Sequence, residues 1–195
     1  MENFKRYLKK NEPFPHLVIE SSFNEYDQNL IWKELEFINL NDRLSSNSKN
    51  NLFENKNLVP IRDIFIDTRF SDISKLTSLF LDEELKKNFS ELNFGYNSIW
   101  NTYSHSTFLS YYGENDFYEY ANNSSLYTIL SFFYKKPKNF SGGELIFNDF
   151  NFKISIKNNT TIIFPSFVSY SINKIILNET MKGCGQYCIS TLLMS

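Results

Sequence analysis

The chain has 195 residues, a formal net charge of −2, and a content that is 42% hydrophobic and 17% aromatic. That length suits a single domain, 1–195, with enough apolar material to bury a core without disulfide or metal staples. The charge excludes the electrostatic footprint of a nucleic-acid binder, and no apolar run approaches the roughly 18 residues of a membrane-spanning helix.

The opening MENFKRYLKKNEPF is polar and lacks the apolar centre of a secretory signal. The expectation is a soluble protein, cytoplasmic or part of an intracellularly assembled complex. Residues 13–20, PFPHLVIE, read as a short strand entered through two prolines. From Asn24 to Phe37, Leu30, Ile31, Leu35 and Phe37 recur near the helix period with polar residues between them, which predicts an amphipathic helix. Residues 39–58 are dominated by Asn, Ser and Lys and predict a polar loop. A second helical stretch is expected over 71–92, capped by Ser71 or Asp72 and burying Ile73, Leu76, Leu79 and Phe80.

From about residue 94 the pattern changes. WNTYSHSTFLSYY, SLYTILSFFYKK, GGELIFND, FKISIK, TTIIFPS, YSINKIIL and QYCISTLLM are β-branched and aromatic runs punctuated by Gly, Asn and Pro. Such a series predicts a sandwich or barrel-like β domain over 94–195. Residues 1–93 would supply a strand, helices and the polar loop, with the helices packed on one sheet. The two cysteines, Cys184 and Cys188, would share a strand face about 13 Å apart, too far for a disulfide.

Some of the punctuation is more specific. Gly142-Gly143-Glu144-Leu145 precedes a strand, Phe164-Pro165-Ser166 ends one with Tyr170 four residues later, and Gly183-Cys184-Gly185-Gln186-Tyr187 opens the last. With PFPHLVIE in front, this order resembles the prolyl-4-hydroxylase-like branch of the Fe(II)/2-oxoglutarate-dependent oxygenases. The resemblance covers nearly the whole chain and is sharpest from Tyr111 to Leu193. It implies an α+β, mainly β fold: a double-stranded β-helix, or jelly roll, with a pocket between its two sheets.

The resemblance also implies places for the chemistry. Tyr111 matches the tyrosine that contacts the co-substrate. In FYEYANN, residues 117–123, Tyr120 falls where the first iron-binding His belongs and Asn122 where the Asp belongs. Tyr170 falls at the distal His, and Gln186 at the Arg that pairs with the 2-oxoglutarate carboxylate. None of these four chemical groups is kept. Iron of this kind is held by two imidazoles and a carboxylate. A phenol ligates well only when ionised, at a reference pKa near 10, and an amide carries no charge. Gln186 lacks both the charge and the fork with which Arg grips a carboxylate.

Replacement ligands are scarce. Glu119 has the opposite strand parity to Tyr120 and points away. His105 shares parity with Tyr111, so it can face the same pocket, with a hydrogen-bonded core residue as its structural alternative. Cys184 and Cys188 share parity with Gln186 and can line the pocket or simply pack. Tyr118, Tyr120 and Tyr170 can fill the space of the lost metal. With just two histidines, His16 and His105, no His-rich metal site can be built.

The first expectation is therefore a catalytically silent jelly roll, with no cofactor, that binds another protein chain, either a second copy or an active homologue. The competing expectation is an Fe(II)- and 2-oxoglutarate-dependent dioxygenase with an unorthodox metal site or one completed by a partner. A lectin-like binder using Tyr and Asn in the pocket is a third.

Overall fold

A computed structural model describes residues 5–38, 59–119, 124–178 and 183–195. The predicted 39–58 loop lies outside them, as do Tyr120 and Asn122. The chain enters through a hairpin. Strands β1 (Arg6–Lys10) and β2 (His16–Glu20) pair antiparallel, with Arg6 opposite Glu20 and Lys10 opposite His16. The PFPH strand is thus β2; its partner, RYLKK, carries no apolar alternation that would announce it.

Helix α1 (Glu25–Phe37) begins where the Asn24 side chain accepts a hydrogen bond from the Asp27 backbone N–H. This satisfies one of the helix's orphan donors. Ile31 and Leu35 face the core as expected, whereas Phe37 is 80% exposed. The single turn α2 (Ile61–Ile64) follows strand β3 (Val59–Pro60). The expected helix over 71–92 is two helices, α3 (Asp72–Ser78) and α4 (Glu83–Ser90), joined by a 3₁₀ turn. Asp82 is the reason: its backbone is extended and its carboxylate accepts the Leu85 N–H, so a new helix starts there. Leu79, in the break, is 45% exposed.

The predicted β runs all contain strands: β4 (Ser104–Tyr112), β6 (Tyr127–Phe133), β8 (Leu145–Phe147), β9 (Phe152–Ile154), β10 (Thr160–Pro165), β11 (Tyr170–Ile172), β12 (Ile176–Leu177) and β13 (Gln186–Met194), while the two-residue strands β5 (Tyr118–Glu119) and β7 (Phe140–Ser141) fall outside those runs. The stretch Phe94–Asn101, which opens the predicted β region, is instead a 3₁₀ helix. The major sheet runs β1-β2-β10-β6-β13-β4-β3, the smaller one β5-β11-β8-β9, and β12 pairs with β7. This is the two-sheet jelly roll expected from the sequence, with helices added on one side.

Alternation along the major sheet splits the interior in two. Leu109, Ile129, Ile163, Ile189 and Leu193 point outward against Ile31, Leu35, Ile73, Leu85 and Phe89 of the helices. Leu130, Phe132, Ile162, Phe164 and Cys188 point inward against Leu145, Phe147 and Ile172 of the smaller sheet. The central strands are therefore buried on both faces, as in β6 and β10, every residue of which is buried. No described helix is long and apolar enough to cross a membrane.

Candidate functional site

The mouth of the inter-sheet space is built from four strand ends. β5 contributes Tyr118, β11 Tyr170, β4 Tyr112 and β13 Gln186 and Cys188. Tyr170 and Tyr118 stack, with ring centroids 5.2 Å apart and planes inclined by 23°. Tyr170 Oη donates to Tyr118 Oη over a long 3.4 Å. Phe164 meets Tyr170 edge-on at 5.3 Å. Glu119, next to Tyr118, is exposed, as its parity requires.

Burial governs the electrostatics here. It holds the Tyr170 phenol well above the ordinary tyrosine pKa, and neighbouring Tyr118 pushes the same way. Tyr112 is raised well above the ordinary value for the same reason, with Cys188 and Tyr118 adding to it. The Cys188 thiol is pushed up to about 12 by burial. These groups are neutral at physiological pH.

Gln186 is 1% exposed, and its Nε2 donates to the Gly143 carbonyl at 3.1 Å. Gly143 has φ of 74°, and a Cβ there would sit 2.5 Å from Gln186 Oε1. The GGEL turn and the GCGQY strand start are thus fitted to each other. The amide joins two parts of the protein wall, with one donor spent inside it.

Tyr111 and Tyr112 divide differently from the expectation. Tyr111 lies on the helix-covered face, 4.8 Å from the Tyr187 ring, and its Oη accepts the Gly185 N–H at 3.2 Å. Tyr112 is the β4 tyrosine that enters the inter-sheet cluster. His105 does share a face with Tyr111, but that face is the one where Thr107 meets Thr77 of α3. It does not converge with Gln186, and burial lowers its pKa. Cys184 precedes β13 and lies half-buried beside Tyr111 and Tyr187, whereas Cys188 is buried between the sheets; both thiols are free. Sequence reasoning missed Tyr112, although its parity with Ser110 and Phe108 was available.

His16, unlike His105, lies in the inter-sheet layer. It is 1% exposed, its Nδ1 lies 2.9 Å from the Phe14 carbonyl oxygen, and it packs against Phe14, Phe147 and Phe152. It is a packed residue at the far side of that layer. Among the described residues no group of three His, Cys, Asp or Glu side chains converges to hold a metal ion.

Similarity of structure is extensive and similarity of sequence is not. No protein-family model and no curated protein sequence matches the chain. Among solved structures, a Pseudomonas putida prolyl-4-hydroxylase superposes with a TM-score of 0.59 at 9% identity, over 92% of this chain and 91% of that one. The viral collagen prolyl hydroxylase of Paramecium Bursaria Chlorella virus-1, in a complex with 2OG, gives 0.57 at 11% identity, over 91% and 93%. A prolyl 4-hydroxylase from Phytophthora capsici gives 0.55 at 16% identity over 92% of this chain. The present chain spans 58% of that protein's length. The fold is therefore that of the prolyl 4-hydroxylase type of 2-oxoglutarate oxygenase.

The donors among the described residues do not fit the group that fold implies. Fe(II) of this kind takes imidazole and carboxylate donors, and Tyr170, which the resemblance alone sets at the distal His, is a buried, stacked phenol. Ionising Tyr170 inside a layer of aromatic rings carries the full desolvation penalty of a buried anion. Gln186 offers 2-oxoglutarate no charge, and its amide N–H is already engaged.

Proposed function

We propose that this chain is a jelly roll of the 2-oxoglutarate-oxygenase type that works without iron, as a binding or assembly module for another protein chain. The observation that carries this reading is the Tyr118–Tyr170 stack, with the neutral, buried Tyr170 phenol where the family's distal ligand would stand. The Gln186–Gly143 bond supports it at the co-substrate end. The partner is a second copy or an active homologue. Tyr103, just before β4 and 76% exposed, and Phe167, just after β10 and 78% exposed, leave aromatic surface for such a contact. The two free thiols support a reducing, cytoplasmic setting.

The fold itself favours a second reading, an Fe(II)/2-oxoglutarate dioxygenase whose site is completed by a partner. One experiment separates them. The protein is reconstituted anaerobically with Fe(II) and 2-oxoglutarate, desalted, and analysed for bound metal and for oligomeric state. The iron-free reading expects substoichiometric metal and no protection of the fold by 2-oxoglutarate. Stoichiometric iron, in any oligomer, would sink it.

A further inference from the structure

A groove of about 480 Å³ lies outside the inter-sheet layer, between α1 and the segment that follows β6. None of Tyr112, Tyr118, Tyr170 or Gln186 lines it. One wall is the face of α1 that carries Gln28, Asn29 and Trp32; the other carries Tyr134 and Asn158. That volume falls within the range of small-ligand sites, which combine aromatic surface with a few placed polar groups.

Both aromatic rings are held from behind. Trp32 is edge-on to Tyr187 at 5.3 Å and to Phe133 at 6.4 Å, and Tyr134 is edge-on to Phe140 at 5.6 Å. Asn158 Oδ1 accepts the Tyr134 backbone N–H at 2.9 Å, fixing the floor between them. The Lys135 ammonium reaches Glu36 at 3.2 Å across the groove and ties its walls together. Side chains already locked in place lose little freedom when a ligand arrives, which favours binding.

The chemistry of the lining narrows the ligand. Its ionisable groups are two acids, Glu25 and Glu36, and two bases, Lys135 and Lys136, so the charges balance. An anion or a cation gains nothing net from such a lining, and three carboxamides disfavour a purely apolar guest. A helix face opposed by a loop offers no open strand edge for an extended peptide to pair with. Of the carboxamides, Asn29 offers both donor and acceptor, Gln28 its Oε1 and Asn158 its Nδ2, together the complement of vicinal hydroxyls, and aromatic rings accept the C–H face of a pyranose.

We propose that the groove between Trp32 and Tyr134 is a binding site for a neutral saccharide. The site is independent of the iron-free reading of the inter-sheet layer, and neither result bears on the other.

The test uses the full chain labelled with ¹⁵N, whose two tryptophans report separately: Trp32 in the groove and Trp100, 45% exposed, elsewhere. Maltose, cellobiose and N,N′-diacetylchitobiose are titrated to millimolar concentration while both indole N–H resonances are followed. The expected result is a saturable shift of the Trp32 resonance with at least one sugar and a stationary Trp100. Asn29→Ala and Tyr134→Ala should each weaken that response by about tenfold. Asn29 is an exposed helix position, so its variant should melt as the parent does. No saturable Trp32 shift with any of the sugars overturns the proposal, as does a shift that persists unchanged in the Asn29 variant.

Discussion

Asn159 sits at the turn into β10 with a φ of 57°, in the left-handed region that asparagine tolerates better than most residues. Its Oδ1 accepts the Phe23 N–H at 3.0 Å and its Nδ2 donates to the Phe23 carbonyl at 2.8 Å. One side chain therefore replaces a strand neighbour for a buried peptide 136 positions away. Asn159→Ala orphans the buried Phe23 N–H and leaves the Phe23 carbonyl with Gln28 Nε2 alone, and denaturant melts should show a loss of about 2 kcal/mol. Asn159→Gly relieves the backbone and still loses both bonds, so it should remain clearly destabilised. His16 supplies a pH effect at the same scale. Burial lowers its pKa below the ordinary value of 6.5, so the folded state favours the neutral ring. The stability this gives is present above about pH 6.5 and is lost as pH falls. Thermal melts between pH 7 and pH 5 should record the decline, and His16→Phe should reduce it, leaving the part due to His105, whose pKa burial also lowers.

At the scale of elements, the helical layer is held together by Glu34. This α1 carboxylate is 8% exposed, accepts the Ser71 hydroxyl at 2.5 Å and accepts the Ile73 N–H at 2.9 Å, at the start of α3. Desolvation raises its pKa, and the bonds to Ser71 and Ile73 oppose that rise. The carboxylate thus caps one helix from another, a link no local rule anticipates. Glu34→Ala should cost about 2–3 kcal/mol in chemical denaturation, because it leaves the Ile73 N–H buried and unpaired. Glu34→Gln keeps an acceptor without the desolvated charge and should cost less. The division of 71–92 into α3 and α4 has the same character. Apolar spacing continues across the break, but Asp82 is a better N-cap than a mid-helix residue, and the local bond to Leu85 wins.

At the scale of the whole molecule, one major sheet is buried on both faces, by helices outside and by the smaller sheet inside. Its inner layer keeps acids protonated, and this has an alkaline consequence. The folded Cys188 thiol titrates at about 12 against an ordinary value of 9.0, so its contribution to stability is complete below about pH 9 and lost between about 9 and 12. Tyr112 and Tyr170 act in the same direction. Unfolding temperature should fall over that window, with phenolate absorbance from these tyrosines appearing only on unfolding. A thiol reagent at neutral pH should modify half-buried Cys184 and leave Cys188 untouched until the protein is denatured.

By itself the sequence placed most of the elements in order: the helix from Asn24 to Phe37, the run of short strands, and the GGEL, FPS and GCGQY turns through which the chain resembles a jelly-roll family. These are local, because caps, turn residues and alternation act within a few residues of chain. It also determined that His105 shares a face with Tyr111, since strand parity has a period of two. Which layer covers that face was decided only by the tertiary structure, and it is the helical one, so Tyr112 enters the inter-sheet space instead. The same holds for exposed Phe37, for the β1 edge and for the Gln186–Gly143 bond. Each depends on what chain distant in sequence packs opposite, and periodicity carries no information about that. Most of all, the resemblance led to the expectation of phenol and amide at positions matched to imidazole and carboxylate, while only the fold shows that Tyr170 stacks on Tyr118 and is enclosed among aromatic rings.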